Sequence, residues 1–220
     1  MTDDREQARR ERAKSVLDAV RAKRGYVLTY HRMLAQDDPD LLAAYDAFYE
    51  RLTLNPRVLT MQQRELVWAA LHVAAREAHG QIHMRRAYKV GLGSPELSDS
   101  LAIAGAVEAW PAMRFGPTHW GEWIKATDIE TRYVTVFEAA RGAIEPTHAD
   151  VIAAVCHAAR RTHDGMKLHL ARAFHAGATI PAMAEALSYM LLPCGGPALI
   201  DAVAAWEEAA RDGRCPPPYA

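Results

Sequence analysis

The chain has 220 residues, half of them apolar, enough to bury the core of one large domain or two small ones. Lys and Arg total 26 against 27 Asp and Glu, so no charge imbalance draws it to nucleic acid or to an anionic membrane, and neither is expected as a partner. No apolar run reaches the roughly 18 residues of a membrane span. The opening "MTDDREQARRERAKS" lacks the apolar stretch of a secretory signal. Cys156, Cys194 and Cys215 are too scattered for a disulfide framework or a C-x-x-C pair, so a reducing cytoplasm is the expected compartment.

Between Pro and Gly punctuation the apolar residues recur with a helical rather than a two-residue period, which predicts an all-α fold. "DDREQARRERAKSVLDAVRAKRG" predicts a polar first helix ending at Gly25. "DPDLLAAYDAFYERL" follows, with Asp38 as N-cap and Pro39 at the first helical position. A core helix starts at Thr60 or Met61 and runs through "QQRELVWAALHVAARE". The next covers "EAHGQIHMRRAYKVG" and stops at Gly91. "SPELSDSLAIAGAV" opens another, with Ser94 as cap and Pro95 behind it.

The second half repeats this order. Setting His83 on His169, an offset of 86, also superposes Arg86 on Arg172, Ala87 on Ala173, Gly91 on Gly177, Pro95 on Pro181, Leu101 on Leu187 and Pro111-Ala112 on Pro197-Ala198. Upstream the offset is 85, pairing Glu65 with Asp150, His72 with His157 and Arg76 with Arg161, so one residue has been inserted ahead of His169. The expected division is 1–59 for the N-terminal helices and leader and 60–119 for the first repeat. A helical connection over 120–146, the second repeat over 147–212 and a flexible, proline-rich tail over 213–220 complete it.

A helix opening "REL", a next helix with His near its start and "RA…G" at its end, a "G-x-x-x-P" turn and a "GGPA" segment resemble the carboxymuconolactone decarboxylase and alkylhydroperoxidase D-like superfamily. "KLHLARAFHAGATIPAMAEALSYMLLPCGGPALIDAVAAW" carries most of the resemblance, to the decarboxylase branch. It implies two tandem helical repeats that assemble further. A fused pair of repeats would reach the hexameric arrangement of single-repeat relatives as a homotrimer, so the chain itself is an expected partner. Peroxidase members carry a C-x-x-C pair whose second cysteine lies four residues before the histidine. Counting back from His83 those positions are Arg76 and His79, and from His169 Thr162 and Gly165. Disulfide-based peroxidase chemistry is therefore not expected.

What the resemblance leaves is a cofactor-free lyase or isomerase acting on a small carboxylated lactone, or a related intermediate of aromatic catabolism. Loss of carbon dioxide would leave electrons that spread into the lactone carbonyl, so the substrate is its own electron sink and no cofactor is expected. Histidine suits the proton that carbon must receive, and arginine suits the carboxylates and the oxyanion. His169 with Arg172, and His83 with Arg86, stand three apart on one helix face and are the candidate catalytic pairs, the second repeat being favoured. Glu185 is the candidate acid that orients a histidine, with Asp99 as its counterpart. Lys167, His79 and Trp110 are candidate substrate-binding residues. Each also has a plain structural reading as a solvated or core side chain. Two further readings stay open: a catalytically silent binding or assembly protein, and a metal-binding protein using His79 and His83. Among 10 histidines one i,i+4 pair is what chance supplies, and no H-E-x-x-H spacing adds a third ligand, so no metal is expected.

Overall fold

The computed structural model describes residues 2–219, with side chains from Arg5 onward. Among these residues the chain is all α, with no strand, and it divides into two compact units, 1–55 and 56–220.

The first unit holds α1 (Thr2–Arg24), α2 (Thr29–Asp37) and α3 (Pro39–Tyr49), followed by a π-helical turn, Glu50–Leu54. Helix α1 stops where Gly25 takes φ +81°, a conformation that costs a residue without Cβ little. Asp38 caps α3 as expected, accepting from the backbone N–H groups of Asp40 and Leu41 at 3.1 and 3.0 Å, with Pro39 behind it. Val16, Val20, Ala35 and Leu42 form the unit's small core. Lys23 and Arg24 converge on the buried Asp46, each at 2.8 Å.

The second unit holds α4 (Met61–Ala75), α5 (Gln81–Lys89), α6 (Ser94–Trp120), α7 (Ala126–Ala140), α8 (Pro146–Ala159), α9 (His163–His175), α10 (Ile180–Ser188) and α11 (Gly195–Arg211). Helix α4 starts in a reciprocal cap: Thr60 Oγ1 accepts from Gln63 N at 3.2 Å, and Gln63 Oε1 accepts from Thr60 N at 3.0 Å. Helices α4 and α8 are buried on nearly every side, pack against each other, and take α5 and α9 respectively as neighbours.

The duplication is written into the backbone. Arg76 and Arg161, 85 apart, end α4 and α8 in the left-handed region at φ 58° and 57°. Gly91 and Gly177, 86 apart, do the same after α5 and α9 at +86° and +98°. Glu185 on α10 accepts from the backbone N–H groups of Val58 and Leu59 at 2.5 and 2.9 Å, just ahead of α4. Asp99 on α6 accepts from Ala143 N at 2.9 Å, just ahead of α8. Each repeat thus reaches across to the loop that launches the other's central helix.

One expectation is corrected, and three further features are seen only in the structure. Gly93, not Ser94, is the N-cap of α6, because Glu96 accepts from Gly93 N at 2.9 Å and starts the helix a residue earlier. Where α10 breaks and Gly195 turns at φ +79° before α11, α6 runs unbroken through Pro111, since the first repeat has "AWPA" in place of "GGPA". The stretch read as a connection contributes to a core, for Tyr133 and Phe137 of α7 are fully buried. The tail folds back, Trp206 Nε1 donating to the Pro216 carbonyl at 2.8 Å.

Candidate active site

Each repeat builds a histidine pair from its central helix and the helix that follows. In the first, His72 near the end of α4 lies 5.2 Å, ring centre to ring centre, from His83 on α5. In the second, His157 of α8 lies 5.3 Å from His169 of α9. A glycine makes room for the first ring of each pair. A Cβ on Gly80 would stand 2.4 Å from His72 Cγ, and one on Gly165 would stand 2.3 Å from His157 Cε1. Gly80 and Gly165 are 85 apart, so Gly165 corresponds to Gly80, and the counterpart of His79 is Asp164. The inserted residue therefore lies between Gly165 and His169. In this register too, neither repeat has a cysteine at the C-x-x-C positions, Arg76 and His79 or Arg161 and Asp164.

The second ring of each pair is held by a carboxylate from the central helix. Glu65 Oε2 is 2.8 Å from His83 Nδ1, and Asp150 Oδ1 is 2.7 Å from His169 Nδ1. Asp150 also accepts from Arg172 Nε at 2.8 Å, and Arg172 reaches on to Glu138, which takes Arg141 Nε at 2.6 Å. Burial holds His83 and His169 below the ordinary histidine value, against the opposing pull of Glu65 and Asp150. Arg86 and Arg172 lower them further. Both rings are therefore neutral at pH 7.

The pairs differ at the remaining nitrogens. In the second repeat the Tyr133 hydroxyl bridges them, 2.9 Å from both His157 Nε2 and His169 Nε2. The hydrogens can be assigned. The Asp150 carboxylate requires N–H at His169 Nδ1, so His169 Nε2 accepts from the Tyr133 hydroxyl. Tyr133 then accepts from His157 Nε2–H, and Thr162 Oγ1–H donates to His157 Nδ1 at 2.7 Å. Every position is used, and His169 is fully enclosed.

In the first repeat Glu77 Oε2 stands 3.3 Å from His72 Nδ1, a long contact that still places a carboxylate where Thr162 stands in the other half. The Trp68 ring stacks on both histidines, at 4.3 Å from His83 and 5.5 Å from His72, and on Tyr189 at 4.8 Å. His72 Nε2 and Trp68 Nε1 are buried with no hydrogen-bond partner. Burial and the neighbouring His83 push His72 down to about 4. A cleft of about 460 Å³ opens beside His72, lined by apolar Ala69, Val73, Met84 and Leu101 with Arg76 and Glu77 at its edge.

Of the residues expected at a site, the structure brings together His83 with Glu65 and Arg86, and His169 with Arg172 and Asp150. It does not place Glu185 on a histidine: besides the two backbone groups it accepts from Tyr189 Oη at 2.6 Å. Lys167 pairs with Glu208 at 2.6 Å on the outside. Trp110 is buried and donates to Asp164 Oδ1 at 2.9 Å. His79 is exposed on the turn before α5 while His83 is buried, so the two do not converge, and among the described residues no cluster of three or more His, Cys, Asp or Glu side chains is set to hold a metal. Sequence reasoning paired Glu65 with Asp150 and His72 with His157 without giving them this role. That each pair recurs at one offset was the signal. Tyr133 gave none, because its helix had been read as a connection.

The fold is thus a tandem helical repeat with a carboxylate-held histidine in each half and no C-x-x-C pair ahead of either. The sequence matches the carboxymuconolactone decarboxylase family over residues 39–116 and 128–208, and the chain belongs to that family. Each matched region takes in the helix ahead of its central one, α3 and α7. Among solved structures, a protein of Burkholderia xenovorans LB400 described as a gamma-carboxymuconolactone decarboxylase subunit shares the fold. Its TM-score is 0.57 at 18% identity, covering 91% of this chain and 98% of that one. No curated protein matches the sequence.

Proposed function

We propose that the chain is a cofactor-free, decarboxylase-like lyase or isomerase for a small carboxylated lactone or a related intermediate of aromatic catabolism, and that the first repeat carries the chemistry. One observation supports this choice of repeat. His83 has its carboxylate, Glu65, at Nδ1 and, among the described residues, no tyrosine hydroxyl bonded to its other nitrogen, whereas both ring nitrogens of His169 are taken. The sequence alone favoured the second repeat.

In this reading Arg86 binds a substrate carboxylate or the oxyanion that grows as carbon dioxide leaves. The negative substrate raises the proton affinity of His83, which takes up a proton, shares the charge with Glu65, and gives the proton to carbon. The atoms balance: the carbon–carboxylate bond breaks, carbon dioxide departs, and the electron pair accepts the His83 proton. The chain works as a homotrimer, each copy supplying two pseudo-equivalent units.

A second reading has its own observation. His83 and His169 are both almost wholly enclosed, as histidines of a silent helical scaffold would be. The test is turnover of 4-carboxymuconolactone and analogues by the native protein, His83→Gln and His169→Gln. The expected result is a loss of about 10²- to 10⁴-fold in His83→Gln and retained activity in His169→Gln. Loss confined to His169→Gln would return the chemistry to the second repeat. No turnover of any carboxylated lactone by the folded native chain would leave the scaffold.

A further inference from the structure

The two histidine pairs are copies of one arrangement: the same backbone positions, ring centres 5.2 and 5.3 Å apart, and Nδ1 of all four rings facing an oxygen of Glu77, Glu65, Thr162 or Asp150. The second ring of each pair, His83 or His169, is anchored alike at Nδ1 by a carboxylate, while His72 Nδ1 makes no hydrogen bond. In the second repeat the two Nε2 atoms meet on one oxygen, the hydroxyl of Tyr133, 2.9 Å from each. In the first repeat His72 Nε2 is buried without a partner, and Glu65 is the hydrogen-bond partner of His83, at Nδ1.

From this we infer that the first repeat binds a flat hydroxylated ring, phenol-like in its chemistry, with the hydroxyl oxygen between His72 Nε2 and His83 Nε2 as the Tyr133 hydroxyl lies between His157 and His169. The inference rests on the reading that the first repeat holds the site, and adds His72 to it as a substrate-binding residue. Trp68, fully buried, stacks on both imidazoles, and the cleft beside His72 is lined largely by aliphatic side chains.

The hydrogens are accounted for. His83 Nδ1–H is engaged by Glu65, so His83 Nε2 accepts the ligand's hydroxyl hydrogen. The ligand oxygen then accepts from His72 Nε2. His72 Nδ1 makes no hydrogen bond, so the neutral ring carries its hydrogen at Nε2, as His157 does, and donates it to the ligand oxygen. The charged groups acting on the pair are Glu65 and Arg64 of α4, Glu77, and Arg86 of α5. Binding accordingly leaves both rings neutral.

Calorimetric titration of the full chain with phenol, toluene and benzoate tests this, run at neutral pH in two buffers of different ionisation heat. The expected result is one phenol per chain, bound about tenfold or more tightly than toluene, the worth of one well-placed hydrogen bond, with benzoate weaker than phenol and with no net proton uptake. His72→Phe, which keeps a packed ring and removes both nitrogens, should abolish the preference, while His157→Phe in the closed repeat should leave it. Equal affinity for phenol and toluene in the native protein would overturn the inference, as would an undiminished preference in a folded His72→Phe. Should His72→Phe not fold, the native comparison decides. Phenol binding without lactone turnover counts against the lyase reading alone, and turnover without phenol preference counts against this inference alone.

Discussion

The Tyr133 hydroxyl lies 2.9 Å from His169 Nε2 and closes a hydrogen-bonded line that runs from Thr162 through His157, Tyr133 and His169 to Asp150 and Arg172. Tyr133→Phe removes one oxygen and leaves two buried nitrogens facing each other without a partner. It should destabilise the protein by about 1–3 kcal/mol, the cost of unsatisfied buried polar groups. Urea unfolding of the variant checks this. A change below about 0.5 kcal/mol would mean that water replaces the hydroxyl.

Glu185 should prove architectural. It is buried, and its carboxylate takes hydrogen bonds from Val58 N, Leu59 N and Tyr189 Oη. Glu185→Ala strands all three donors and should cost about 3 kcal/mol or more. Asp99→Ala, at the exposed and simpler mirror contact, should cost about 1 kcal/mol. Thermal melts of the two variants should rank them in that order, and a larger loss in Asp99→Ala would contradict the account.

Acid should unfold the second unit through its histidines. Burial brings His72 and His148 down to about 4 and lowers His83, His157 and His169 as well. Below the ordinary value of about 6.5 the unfolded chain binds protons that these neutral rings refuse, so stability is full above that pH and falls as pH drops toward 4. Denaturant midpoints measured between pH 7 and 4 should decline steadily. His148→Gln, which can still donate to the Gln63 carbonyl now bonded by His148 Nε2 at 2.9 Å, should flatten part of the slope. A flat profile would show that these rings are protonated when folded.

Alkyl hydroperoxide should not be turned over with a dithiol reductant. Cys156 is sealed in α8 with its thiol pushed far above the usual range by burial, and burial also raises Cys194 and Cys215. A peroxidase rate abolished by replacing any one of the three would refute this.

Light scattering on the purified chain should give three times the 24.3 kDa chain mass. Phe115, Trp120 and Trp123 leave a large aromatic surface exposed at the end of α6 and just beyond it. Trp123→Ser together with Phe115→Ser should weaken the assembly. A monomer at micromolar concentration would dismiss the trimer.

Helical period, caps and the 85/86 offset are local or pairwise properties of the sequence, so the all-α fold, the Asp38 cap, the start of α4 at Thr60 or Met61, the stop at Gly91 and the duplication could be read from residues alone. The pairing of Glu65 with Asp150 and of His72 with His157 was equally visible, but not its use, because a carboxylate on α4 meets an imidazole on α5 only once the helices pack. Three-dimensional contact also decided which repeat is closed. Tyr133 lies 36 residues before His169, outside the motif that repeats at the 85/86 offset, and nothing local ties its hydroxyl to two imidazoles. Nothing in the sequence singles out Gly80 and Gly165. Only the packed rings of His72 and His157 show that the absent Cβ is what admits them.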